Sequence, residues 1–95
     1  MDCPAYIRKN ETQNLSGDRV ILYYYCKKSQ DGDGYSVGID MYTQIHGERT
    51  LKEEKVIDNV YPDYKRTAAL VDKLCRGCVT PMSLKDVLYD TLSAV

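Results

Sequence analysis

Two strongly alternating segments, joined by a short Asp-Gly turn, constrain this chain more than any other feature. In Arg19–Lys28, Val20, Leu22, Tyr24 and Cys26 fall on one side of an extended chain, and Ile21, Tyr23 and Tyr25 on the other. In Tyr35–Ile45, Tyr35, Val37, Ile39, Met41 and Ile45 point one way; Ser36, Gly38, Asp40, Tyr42 and Gln44 point the other. A period of two over both segments predicts strands with one buried and one wet face, as in an antiparallel sheet. The join, Ser29 to Gly34, reads Ser-Gln-Asp-Gly-Asp-Gly, and Asp-Gly dipeptides supply the positive φ that tight hairpins need.

The same stretch touches the calcium-loop pattern of EF-hands. With Ser29 at position 1, Asp31, Asp33, Gly34 and Asp40 fall at positions 3, 5, 6 and 12. Ser at position 1, polar Ser36 at position 8 and Asp rather than bidentate Glu at position 12 weaken the match. The flanks alternate as strands, so a hairpin turn is the expectation.

Outside this pair the signals are weaker. Ala5 to Lys9 is a candidate first strand, and Asn10 to Asp18, with Gly17, reads as a loop. His46-Gly47-Glu48 makes a second turn, with His46 an exposed loop residue. Thr50 to Val60 reads as a charged strand, whose Lys52, Glu53, Glu54 and Lys55 suit a solvated face or a protected edge.

From Tyr61 the period changes to 3.6. Pro62 suits a first helical turn and Asp63 complements the helix dipole. Tyr64, Ala68, Val71, Leu74, Cys75 and Cys78 recur at helical spacing, and Gly77 is expected to end the helix in a left-handed conformation. Thr80 as N-cap and Pro81 at the first position restart a helix, with Leu84, Val87, Leu88, Leu92 and Val95 as its stripe. The expected architecture is therefore α+β: an antiparallel sheet of three to four strands in meander order, covered on one face by a C-terminal helical hairpin. The chain of 95 residues reads as one domain, residues 1–60 forming the meander and 61–95 the two helices.

Composition narrows function. Thirteen Lys+Arg against 14 Asp+Glu give a net charge of −1, which lacks the basic excess of a phosphate-driven nucleic-acid binder. The chain is 43% hydrophobic, too apolar for a disordered segment. At this length only about 60–65% of the unfolded surface is buried, which leaves little room for a deep cleft. Met1-Asp2-Cys3-Pro4 lacks the basic and apolar regions of a signal peptide, and the longest apolar run, Val20 to Cys26, cannot span a membrane. The expectation is a cytoplasmic protein without membrane association.

Cys3, Cys26, Cys75 and Cys78 are expected as free thiols, buried and inert, used as small hydrophobes. Cys75-Arg76-Gly77-Cys78 has C-x-x-C spacing, but it follows a helical run and so sits at the negative end of the dipole. That end raises a thiol pKa, whereas redox pairs sit at helix N-termini. A zinc site would need Cys3, Cys26 or His46 to complete it, and these are scattered singly. No metal and no cofactor is expected. There is no Walker loop, no G-x-S-x-G and no HExxH, and the single His offers no triad, so no catalytic residue is assigned and a non-enzymatic role is expected.

The pattern from Tyr23 onward resembles a family of uncharacterised small bacterial proteins, mostly from anaerobic Gram-positive bacteria. The residues that carry it are Tyr23-Tyr24-Tyr25, Tyr35-Ser36-Val37-Gly38-Ile39-Asp40, Val60-Tyr61-Pro62-Asp63-Tyr64-Lys65 and Val79-Thr80-Pro81-Met82-Ser83-Leu84-Lys85-Asp86. Thr80 stands where the family has Ser, and either can cap. Cys75 and Cys78 lie outside the shared pattern. The resemblance implies no activity and no catalytic residue.

All nine aromatic residues are Tyr. Tyrosine buries a ring but needs its hydroxyl paired or wet, and it is enriched at interfaces. If Val20, Leu22, Tyr24, Val37, Ile39 and Met41 face the helices, Ile21, Tyr23, Tyr25 and Tyr42 line the open side of the sheet, where an aromatic can cover Gly38. That patch is the candidate interaction surface for a protein partner or for self-association. Cross-strand pairing of the tyrosines on a wet face accounts for it equally. Stacking of single-stranded nucleic acid on the same rings is the alternative, disfavoured by the charge and by the absence of an RNA-recognition signature.

Overall fold

The computed structural model describes residues 6–93 apart from 31 and 33. The elements run β1 (Tyr6–Gln13), β2 (Arg19–Lys28), β3 (Tyr35–Ile45), β4 (Glu48–Tyr61), α1 (Tyr64–Arg76) and α2 (Pro81–Ser93). The four strands form one sheet in the order β1-β2-β3-β4, with every pair antiparallel. This is the expected meander followed by two helices. Ala5, Cys3, Val95 and the two turn aspartates Asp31 and Asp33 lie outside the described residues.

The alternation of β2 and β3 sets the core. Val20, Leu22, Tyr24, Cys26, Val37 and Ile39 pack with Leu70, Val71, Leu74, Leu84 and Leu88, while Met41 and Ile57 close the rim. The helices cover only this face, and the Cα envelope is 18 Å thick, enough for one sheet and one helical layer.

β1 extends further than its sequence suggests. It pairs with β2 from Tyr6↔Cys26 to Gln13↔Arg19, so Asn10–Gln13, expected as loop, is strand. The reason is that two of its inward side chains, Arg8 and Asn10, are polar and bonded to α1 rather than apolar. Arg8 Nε meets Asp72 Oδ1 at 2.7 Å, and Asn10 Nδ2 donates to the Cys75 carbonyl at 2.6 Å. The turn that follows is held by Asn14, whose Oδ1 accepts from the N–H groups of Ser16 and Asp18 at 3.0 Å each.

β3 and β4 meet at His46 and Gly47, with φ of 53° and 84°, as a two-residue primed hairpin requires. His46 is exposed, as expected. The β2–β3 turn closes through Ser29 N–H to the Gly34 carbonyl at 2.9 Å, and Asp40 lies within β3 rather than at the end of a calcium loop.

Helix α1 differs from expectation at both ends. Asp63 is its N-cap, accepting from Lys65 N–H at 3.2 Å, and Pro62 stands just outside the helix. Its buried residues are Thr67, Leu70, Val71 and Leu74, so Tyr64 and Cys78, assigned to the buried stripe, are exposed. Tyr64 instead tilts against Tyr35 with centroids 5.8 Å apart. At the C-terminus, Cys78 N–H bonds the Cys75 carbonyl at 3.1 Å and Val79 N–H bonds the Leu74 carbonyl at 3.2 Å. This is a Schellman pair, and the left-handed residue in it is Cys78, at φ 52°, not Gly77, at φ −85°. α2 begins at Pro81 as expected, with Thr80 Oγ1 donating to Ser83 Oγ at 3.3 Å.

A non-glycine residue in the left-handed region carries a strain of about 1–2 kcal/mol. Cys78→Gly should therefore raise the denaturant midpoint by about 1 kcal/mol of stability at unchanged slope. A lower midpoint would show that the contact of Asn10 Nδ2 with Cys78 Sγ, at 3.3 Å, outweighs the backbone strain.

Candidate functional site

The outward side chains form rows across all four strands, because each strand pairs in register with the next. Ile7, Tyr25, Gly38 and Val56 make one row; Lys9, Tyr23, Asp40 and Glu54 a second; Glu11, Ile21, Tyr42 and Leu51 a third. β3 and β4 stay aligned through these rows despite register shifts between Met41 and Tyr42 and between Tyr35 and Val37.

The tyrosines are fixed in distinct ways. The Tyr25 ring lies over the backbone of Gly38, where any Cβ would collide with its Cζ and hydroxyl. The expected covering of Gly38 by an aromatic is thus Tyr25, its cross-strand partner. Tyr23 and Tyr42 meet edge to face, centroids 5.8 Å apart at 86°. Arg49 Nη1 donates to the Tyr23 hydroxyl at 2.8 Å. Tyr23, Tyr25 and Tyr42 are all half-buried, so each keeps part of its ring accessible.

Ile21 departs from the expected surface. It is 0% exposed, enclosed beside the Tyr23–Tyr42 pair, and it forms the floor of the patch rather than part of its contact area. Three residues absent from the sequence assignment take its place. Ile7, Leu51 and Val56 are 52%, 43% and 41% exposed on the same face. They were hidden because β1 and β4 are edge strands with polar neighbours, and their pairing partners could not be read from periodicity.

Charge divides the face. Lys9, Arg19 and Lys27 outnumber Glu11 on β1 and β2, whereas Asp40, Glu54 and Asp58 outnumber Arg49 on β3 and β4. Burial and the neighbouring Glu54 push the Asp40 carboxyl up, against the opposing effects of Tyr25 and Lys27. Burial first, then Asp40 and Glu54, push the Tyr25 phenol up to about 12. At the end of the face a relay of hydroxyls ties three segments. Asn59 N–H donates to Ser29 Oγ at 3.1 Å, Ser29 and Ser36 hydroxyls are 2.8 Å apart, and Ser36 Oγ donates to Asp58 Oδ1 at 2.7 Å.

The thiols lie elsewhere. Cys26 is in the core, where burial raises its pKa. Cys75 and Cys78 flank the C-terminal turn of α1 against β1, and burial, then Cys78, raise the Cys75 thiol. Nearby, Tyr24 is fully enclosed, and burial pushes its phenol up to about 12. Among the described residues no cluster of three or more His, Cys, Asp or Glu is placed to hold a metal ion. A shallow pocket of about 340 Å³ beside α1 is lined by Arg8, Asp72, Cys75 and Arg76, with Arg8 and Asp72 already paired.

The profile of a family of unknown function, DUF6514, matches residues 5–94. The chain belongs to that family. No curated protein and no solved structure matches it. No helix among the described residues is long and apolar enough to cross a membrane.

Two outcomes follow from this geometry. Gly38→Ala must displace the Tyr25 ring, and should cost about 1–3 kcal/mol in denaturant unfolding; an unchanged midpoint would mean that the ring is not held on the glycine. Asp40 binds its proton more tightly in the folded chain than in the unfolded one. Stability from this group is full below the ordinary carboxylate value and is lost as pH rises through the raised one. Asp40→Asn should therefore raise the melting temperature at pH 7 and leave it nearly unchanged at pH 3. A loss at pH 7 would show that the carboxylate is instead held favourably by Tyr25, whose hydroxyl lies 3.5 Å away.

Proposed function

We propose that this protein is a non-catalytic interaction module that docks a protein partner through the open face of its sheet. The observation that carries the reading is that Ile7, Leu51 and Val56 stay exposed around Tyr23, Tyr25 and Tyr42, opposite the face the helices cover. Half-buried tyrosines with restrained rings lose little entropy on contact, and their hydroxyls tolerate water when the face is free. Apolar side chains grouped with them supply area that favours exclusion of water.

A nucleic-acid role fits less well. Asp40 and Glu54 stand in the row beside Tyr25, where they would repel a phosphate backbone. The free thiols Cys26, Cys75 and Cys78 fit a reducing compartment, and we place the module in the bacterial cytoplasm.

A photo-crosslinking amino acid placed at Leu51 or Val56 in the native host should yield discrete protein adducts. The same group at Met82 or Tyr89, exposed on α2, should yield none. Adducts confined to the α2 positions would overturn the reading.

A further inference from the structure

The division of charge across the open face points to a specific occupant. Lys9 lies at one side of the central row and Glu54 at the other, with Tyr23 and Asp40 between them. Lys27 adds positive charge on β2, and Asp58 adds negative charge on β4. Glu11 on β1 and Arg49 on β4 run against this division, but with Arg19 on β2 the net charge of the open face stays basic on β1 and β2 and acidic on β3 and β4. A face with that net division is complementary to itself when turned half a revolution about an axis parallel to the strands. Resting on the sheet-face reading above, we propose that the occupant is a second copy of this chain, docked face to face about a twofold axis running along the strands between β2 and β3.

That operation keeps each row and exchanges the outer strands. Lys9 of one copy meets Glu54 of the other, and Tyr23 meets Asp40, each contact occurring twice. Ile7 meets Val56 at both edges, so these two exposed aliphatic side chains cover each other, while Leu51 meets Glu11, whose methylene stem covers part of it. The row that carries Lys9 and Glu54 brings no like charges together. A twofold axis laid across the strands would instead stack Lys27 toward Arg19, since these residues end the same side of β2. Aligned sheets pack at about −30°, which offsets the outer strands by a few ångströms, a distance that long Lys and Glu side chains span. The two charges do not compete with a strong existing pair among the described residues: Glu54 is exposed, and Lys9 reaches Glu11 at 3.4 Å on the surface.

Size sets the class of interface. Four strands about 4.8 Å apart and about ten residues long give a face on the order of 600 Å². Two such faces bury on the order of 1,200 Å², the lower end of specific interfaces. Interfaces at that lower end are those of transient encounters, so the dimer is reversible, and it weakens as salt rises.

Sedimentation equilibrium on the full chain tests this with Lys9→Glu and Glu54→Lys, each checked for unchanged circular dichroism and melting. The wild type should self-associate at micromolar concentration. Each single variant, which sets like charges against each other twice, should dissociate about tenfold more readily. An equimolar mixture of the two variants should recover wild-type association, because both crossed pairs then become opposite in sign. The double variant should recover it as well. Wild type that stays monomeric up to millimolar concentration overturns the proposal, and so does a dimer indifferent to both variants or a mixture that fails to recover. A monomeric wild type that still gives Leu51 and Val56 adducts with a different protein overturns the second copy alone. Adducts only from α2 overturn the reading beneath it.

Discussion

The pairing register of β2 with β3 is the constraint on which the rest of the molecule depends. Three tyrosines in a row cannot all face one side of a strand, so the register decides which becomes core. Tyr24 sits opposite Ile39 on the helix side, and Tyr25 sits opposite Gly38 on the other. A slip of one residue would move Val37 and Ile39 to water and place Asp40 under the helices. The ring of Tyr25 on Gly38 helps to prevent this, because no other residue of β3 lacks a Cβ. Buried aliphatic area against Leu70, Val71 and Leu74 supplies the larger share of the stabilisation.

The two edges of the sheet are handled differently. β1 is attached by polar bonds from Arg8 and Asn10 to the far half of α1, which places the end of that helix over the first two strands. β4 is long and mostly exposed, and its charged residues discourage further strand addition along its edge. Growth by edge pairing is thereby opposed, while the face between the edges keeps its tyrosines and aliphatic groups accessible. That contrast is the physical ground for reading the face, rather than an edge, as the contact surface.

Much of this was legible in the sequence. Alternation located β2 and β3, turn chemistry located the His46-Gly47 turn, the Thr80-Pro81 pair located the start of α2, and the parity of Tyr23, Tyr25 and Tyr42 placed them outside. Where reading failed, the missing information was tertiary. β1 carries polar inward residues whose partners lie more than sixty positions away, so no local period marks it. In α1 the buried stripe passes through Thr67, whose hydroxyl is satisfied by the Asp63 carbonyl at 2.7 Å, and a polar residue with a local partner does not look buried. Gly77 was the natural left-handed residue, yet the helix runs one position further and Cys78 takes the strain. Ile21 is closed off by neighbours from other strands, and the division of charge emerges only when the pairing of all four strands is known.

The central claim, that one register splits the tyrosine triplet between core and contact face, is most directly tested by NMR on chain with labelled tyrosine and glycine. The α-protons of Gly38 should be shifted upfield by the Tyr25 ring and show cross-relaxation to it, while the Tyr24 ring shows cross-relaxation to the methyl groups of Leu70, Val71 or Leu74. Gly38 protons at ordinary positions, with Tyr25 rather than Tyr24 in contact with the helix methyl groups, would contradict the account.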